Sequence, residues 1–206
     1  MIPSRIGGGM YDVGGRKMPG VTTVCGVGQR RFGSEYHMHR GTYVHSAAAL
    51  ILSGEELDTG HLGADEQYWW DECRPYIEGF QLFVKETGFV VHGDDIELLV
   101  YSLEDGIVGT LDFVGEMTKV EKQYRGQGVF DLKTLGSGLQ LDKSIRPQTA
   151  AYALAYKKMR GLTRLPKRFG VPVSGAGKYD FKMLSDPTDI NVFRAHQIVY
   201  NWQNTT

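Results

Sequence analysis

Cys25 and Cys73 are the only cysteines in 206 residues. They have no metal-type pair spacing, which excludes a cysteine-ligated zinc site and an iron-sulfur cluster. Two isolated thiols are expected as reduced core residues rather than a disulfide. No apolar run is long enough to span a bilayer, and the opening "MIPSRIGGGMYDVGGR" lacks the hydrophobic stretch of a secretory signal. The expectation is a soluble cytoplasmic protein with no membrane partner. There is no internal repeat, low-complexity tract or linker. The "GAGKY" stretch at 175–179 lacks the spacing and the Ser/Thr of a phosphate-binding loop, so no helicase domain of the chain's own is expected.

What is present is 41% hydrophobic content and a near-neutral net charge of −1, which suit one globular domain over 1–206 with a sizeable core. The near-neutrality hides an asymmetry. Residues 54–105 hold fourteen acidic side chains against Arg74 and Lys85 alone. The densest basic cluster is Lys157, Lys158, Arg160, Arg164, Lys167 and Arg168, six cations with no intervening acid. Such a cluster can follow a phosphate backbone or form a solvated helix end.

Along the chain, residues 15–28 read as a short extended segment after a turn. Residues 41–54, "GTYVHSAAALILSG", read as a helix capped by Gly41 or Thr42 and stopped by Gly54, with His45 in its first turn. From 65 to 86, Trp69, Cys73, Tyr76, Phe80 and Phe83 recur at helical spacing, with a kink or break expected at Pro75. Three strands follow at 95–102, 106–116 and 128–134, expected to pair as a meander. Residues 146–159 form a helix with Pro147 in its first turn and Gly161 beyond its end. Residues 168–184 read as a hairpin and 189–203 as a closing amphipathic helix.

The stretch "VFDLKTLGSG" at 129–138 puts Asp131 and Lys133 on one strand face with Val129, and Phe130, Leu132 and Thr134 on the other. Alone, this is a loose pattern. Asp180-Phe181-Lys182 matches it equally, with Gly177 three residues ahead, and is expected as exposed hairpin residues.

The order of polar residues across these elements resembles the RecB-like branch of the PD-(D/E)xK nucleases. Its Gly-x-x-x-His, Gly-x-x-Asp, Asp/Glu-x-Lys and Gln-x-x-x-Tyr signatures stand here as Gly41 to His45, Gly109 to Asp112, Asp131 to Lys133 and Gln148 to Tyr152, over about residues 40–156. Residues 11–24, "YDVGGRKMPGVTTV", also resemble the lead-in of phage and mitochondrial genome-maintenance exonucleases. Gly20 stands where that lead-in usually has serine, and the hairpin between Asp112 and Asp131 is longer than usual. The resemblance implies an α/β fold with a central mixed β-sheet flanked by helices, the restriction-endonuclease-like core. It also implies a nuclease acting on DNA, with exonuclease favoured by the phage and genome-maintenance likeness over a site-specific or structure-specific endonuclease.

Phosphodiester hydrolysis needs a nucleophilic water and stabilisation of charge on the phosphate and leaving oxygen, which hard divalent cations provide. Asp112 and Asp131 on neighbouring strands suit Mg²⁺ or Mn²⁺. By resemblance His45 adds a nitrogen ligand, which favours Mn²⁺ somewhat, with Glu97 in a supporting metal role. Lys133 would orient the attacking water, and Gln148 and Tyr152, on one helical face, would contact the scissile strand or the lysine. Two other classes stay open at this point: a catalytically silent nucleic-acid-binding module, and a different metal hydrolase using His37, His39 or His61.

Overall fold

Phe130 and Leu132 turn to one helical layer, while Val129 turns to the other, the alternation expected of a strand covered on both faces. The computed structural model describes residues 3–27, 34–57, 59–60, 62–136 and 138–204. Its elements in chain order are β1 (Ser4–Gly7), β2 (Met10–Val13), β3 (Arg16–Pro19), α1 (Val21–Cys25), α2 (Glu35–Ser53), α3 (Ala64–Thr87), β4 (Phe89–Ser102), β5 (Ile107–Met117), β6 (Gly128–Leu135), α4 (Ile145–Met159), β7 (Lys167–Ser174), β8 (Lys182–Met183) and α5 (Asp189–Asn204).

The main sheet runs β4-β5-β6-β7-β8. The expected meander β4-β5-β6 is antiparallel, and α4 carries the chain across to β7, which pairs with β6 in parallel. The result is a mixed sheet with helices on both faces. On one face α2 and α3 bury Phe80 and Phe83 against Phe113, Phe130 and Phe169, with the Phe130 and Phe169 rings stacked at 4.7 Å. On the other, α1, α4 and α5 bury Val21, Tyr152, Tyr156 and Phe193 against Leu111, Val114 and Val129. The hairpin β7-β8 leaves Asp180 and Lys182 exposed, as expected.

Several boundaries differ from the sequence reading. α2 begins at Glu35, so His45 lies in mid-helix and Gly41 is an interior residue. The added turns are held by packing: Tyr36 and His39 lie against Trp69 of α3, with ring centroids 5.5 and 4.1 Å away. α3 runs through Pro75 as one helix. The missing backbone bond costs about 3 kcal/mol, and burial of Cys73, Tyr76, Ile77, Phe80 and Phe83 outweighs it. β4 starts at Phe89, with a register shift between Val91 and Ile96.

The N-terminal region, read as one extended segment, is a separate three-stranded sheet β1-β2-β3 followed by α1. Its Tyr11, Val13 and Met18 pack on Val108, Leu99 and Tyr101 of the main sheet. Val21–Cys25 is helical despite its β-branched residues because tertiary contacts decide it. The Gly20 amide bonds Gly9 O at 2.7 Å, the Thr23 hydroxyl bonds the same oxygen at 3.1 Å, and Val21, Val24 and Cys25 are buried. Among the described residues no helix is long and apolar enough to cross a membrane.

Candidate active site

The site is made by an interruption in the sheet. β5 and β6 form three paired positions, Gly115↔Gly128, Val114↔Val129 and Phe113↔Phe130, and then stop, whereas β6 and β7 pair from Gly128↔Lys167 to Leu135↔Ser174. Past Phe130, then, the edge of β6 facing β5 has no strand partner. A buried amide left there would cost about 1–3 kcal/mol, and Asp112 of β5 satisfies it: Leu132 N–H donates to Asp112 Oδ2 at 2.7 Å. The fork between the strands is filled by the carboxylate that the Gly-x-x-Asp spacing singles out.

His45 reaches the same fork from α2. Its Nε2 lies 3.1 Å from Leu132 O, a contact that fixes the ring and turns Nδ1 toward Asp112 Oδ1 at 3.4 Å and Glu97 Oε1 at 3.6 Å. Glu97 lies across β4 from Asp112, between the Ile96↔Phe113 and Leu98↔Leu111 pairs. Its φ of 47° is in the left-handed region, alone among the described non-glycine residues. A glutamate gains nothing intrinsic there; such a backbone costs about 1–3 kcal/mol and occurs where surrounding structure enforces it, often at functional sites.

His45, Glu97 and Asp112 each offer a donor atom, all within 4.8 Å of one another, and no other such group of three occurs among the described residues. His37 and His39 fall outside it: His37 Nδ1 contacts the Ser34 hydroxyl at 2.7 Å and His39 stacks on Trp69. His61 lies outside the described residues. The separations of 3.4 and 3.6 Å are long for hydrogen bonds. They suit donors around one hard cation, since bonds of about 2.1 Å put neighbouring ligands about 3 Å and opposite ligands about 4.2 Å apart. One imidazole nitrogen and two carboxylates could therefore hold a divalent cation.

Asp131 is held beside this group rather than within it. Gln148 Nε2 donates to Asp131 Oδ1 at 2.7 Å, and Lys133 Nζ lies 2.5 Å from Asp131 Oδ2. Tyr152 is buried one helical turn along α4 from Gln148, over Gly109. That packing gives the glycine of Gly-x-x-Asp a steric reason: a Cβ there would lie 3.0 Å from the Tyr152 ring. Gly41 has no such reason, its nearest atom being Thr134 Oγ1 at 3.7 Å.

The charges are strongly linked. Burial disfavours imidazolium at His45, but Asp112 and Glu97 overcome it and push the pKa up to about 10. Burial likewise opposes ionisation of Asp112, yet His45 and Lys133 hold it below the ordinary carboxylate range. At Asp131 burial wins over Lys133, and the pKa is pushed up to about 6. Burial pulls Lys133 down, but Asp131 and Asp112 outweigh it and raise it, so it is an ammonium at neutral pH.

The basic cluster at 157–168 is largely engaged elsewhere. Lys158 Nζ pairs with Glu104 and Asp105 at 2.7 and 2.6 Å, Arg160 with Asp95, and Arg168 with Asp189 at 3.0 Å. Lys167 Nζ donates to Gln123 O at 2.7 Å. Lys157 and Arg164 make no ion pair among the described residues.

Two contributors carried no sequence signal. Leu132 lends both backbone groups, N–H to Asp112 and O to His45, from between the two charged residues of Asp-Leu-Lys. Arg5 of β1 lines a cavity of about 690 Å³ together with Thr42, His45, Ser46 and Glu97.

No protein-family model matches the chain, and no match is found among curated proteins. Among solved structures, a candidate exonuclease from Eubacterium rectale aligns over 91% of this chain and 73% of that one, at 13% identity and a TM-score of 0.45.

Proposed function

We propose that the chain is a divalent-metal-dependent nuclease that hydrolyses phosphodiester bonds in DNA. The observation that carries this reading is the convergence of His45, Glu97 and Asp112 within 4.8 Å, with His45 and Glu97 in the wall of a cavity, beside the Asp131–Lys133 pair. A group of two acids and an imidazole with a lysine alongside is costly to assemble as mere structure. It concentrates buried charge and includes a residue with a strained backbone.

His45, Glu97 and Asp112 would hold the cation, with Asp131 the further carboxylate from the adjoining strand. When bound, Mg²⁺ or Mn²⁺ neutralises phosphate charge and makes water more acidic. In the metal-free protein Asp131 and Asp112 favour the ammonium form of Lys133. Its ammonium orients the attacking water and offsets charge developing on the phosphate oxygens. Gln148 positions Asp131 through its 2.7 Å bond, and Tyr152 supports β5 from beneath at Gly109. His45 must be neutral to ligate a metal, so metal binding competes with its proton.

Exonuclease action on DNA ends or single strands follows from the resemblance to phage and genome-maintenance enzymes. The test is digestion of end-labelled linear and closed circular DNA, single- and double-stranded, with Mg²⁺, with Mn²⁺ and with excess chelator. An exonuclease degrades linear DNA and spares the circles. Cutting of the circles replaces exonuclease by endonuclease, and the absence of metal-dependent cleavage on every substrate overturns the nuclease reading.

A further inference from the structure

The cations that the sequence marks for DNA are mostly spent on carboxylates and carbonyls, so a phosphate backbone entering the cavity needs others. Arg40, near in sequence to the site, is buried. It donates to Thr134 O at 3.4 Å and lies 4.8 Å from the Tyr76 ring centroid. Arg30 and Arg31 lie outside the described residues.

The N-terminal sheet supplies what is missing. Arg5 is exposed on β1 and forms part of the cavity wall with His45 and Glu97. Arg16 and Lys17, on β3 of the same sheet, are also exposed. None of the three has an ion-pair partner among the described residues. The one acid in residues 4–19 is Asp12, whose Oδ1 accepts the Gly15 amide at 2.8 Å. The sheet is fixed to the body of the protein by Tyr11, Val13 and Met18, so these charges stand on a docked surface rather than a tail. By register and strand alternation Arg5 and Arg16 share the sheet face of Tyr11, Val13 and Met18, while Lys17 is on the other face, opposite Asp12. Arg5 and Arg16, two cations without ion-pair partners among the described residues and one of them in the wall of the cavity, form a phosphate-binding face.

We infer that the three-stranded N-terminal sheet is the DNA-binding wall of the site. Arg5 contacts a phosphate of the strand lying in the cavity, and Arg16 contacts a phosphate farther along it. This rests on the nuclease reading above and names the surface that holds its substrate. Ser46, on the α2 wall facing the same space, can offer its hydroxyl to the strand, whereas the Thr42 hydroxyl donates to Met38 O at 3.1 Å.

The test is the salt dependence of binding of a fluorescein-labelled DNA oligonucleotide to the full chain, by anisotropy in excess chelator so that no cleavage occurs. Removing one cation that neutralises a phosphate takes about 0.7–0.9 off the slope of log affinity against log salt, or about threefold off the affinity change between 50 and 200 mM. Arg5→Gln should lower the slope by one such step, and Arg5→Lys should restore it. The double variant Arg5→Gln, Arg16→Gln should reduce that affinity change by roughly 7- to 12-fold. Lys157→Gln with Arg164→Gln should leave the slope unchanged. With Mg²⁺ or Mn²⁺ present, Arg5→Gln should raise KM and leave kcat near wild type.

A wild-type slope in a folded double variant, or a loss that follows Lys157 and Arg164 instead, overturns the inference. If wild type meanwhile cleaves DNA, the nuclease reading stands without it. A wild-type protein that neither binds nor cleaves DNA removes both.

Discussion

Proton competition at His45 makes a quantitative demand on metal binding. In the metal-free protein Asp112 and Glu97 keep the imidazole charged up to about 10. Ligation through Nδ1 requires that proton to leave, since an imidazolium has no lone pair to give. The sign follows directly: raising the pH removes the competitor and tightens binding. At pH 7, about three decades below the pKa, the competition weakens affinity by about 10³, equivalent to about 4 kcal/mol. Each further rise of one pH unit should return about a factor of ten until the pKa is approached. Isothermal titration of Mn²⁺ at pH 6.5 to 8.5, repeated in buffers of different ionisation enthalpy, reads both the slope and the protons released. The expected result is a slope near one and release of about one proton per ion in this window. His45→Ala should abolish the proton release and flatten the slope. Asp131, pushed up to about 6, should add a second released proton below that pH if it too becomes a ligand. Binding that is independent of pH between 6.5 and 8.5 in the wild type would refute the assignment of His45 as a ligand.

The two signature glycines should respond oppositely to alanine. Gly109→Ala forces a Cβ to 3.0 Å from Tyr152 and should cost about 1–3 kcal/mol by overpacking. Gly41→Ala, in mid-helix with its nearest neighbour at 3.7 Å, should gain up to about 1 kcal/mol from helix propensity. Urea unfolding in chelator measures both, and a destabilised Gly41→Ala or a neutral Gly109→Ala would contradict the packing described. Lys133→Ala should abolish cleavage while changing DNA affinity little, because one ammonium among several cations contributes little to backbone binding; retained single-turnover cleavage would disprove its role. Asp180→Ala and Lys182→Ala should leave cleavage near wild type, and a loss as severe as for Asp131→Ala would place the site at the wrong Asp-x-Lys.

What was legible in the sequence was periodic. The alternation through Val129 to Thr134, the meander and the helix from Pro147 onward follow from apolar spacing and turn residues, and the structure reproduces them. The exposed hairpin at Asp180 and Lys182 was legible for the same reason. Features set by distant contacts were not. The early start of α2 depends on Trp69, far along the chain, and the helix at Val21–Cys25 depends on Gly9 O. The left-handed backbone at Glu97 lies inside a run that reads as ordinary strand. Motif spacing marked His45 and Asp112 but not the backbone of Leu132 that holds both, since a peptide group leaves no mark on a residue pattern. Charge clustering was the least informative signal. Six adjacent cations gave no view of the carboxylates that fold against them, and Arg5 stood out in no window of sequence.

Asp112→Asn separates the metal role of this side chain from its structural one, because the amide keeps an oxygen to accept the Leu132 N–H while the anionic ligand is lost. End-labelled DNA is incubated with wild type and variant, each with Mn²⁺ and with excess chelator, after circular dichroism has shown both to be folded. Wild type should cleave with the metal and stop in chelator, and the folded variant should not cleave in either. Full cleavage by wild type in excess chelator, or by Asp112→Asn with the metal, would contradict the account.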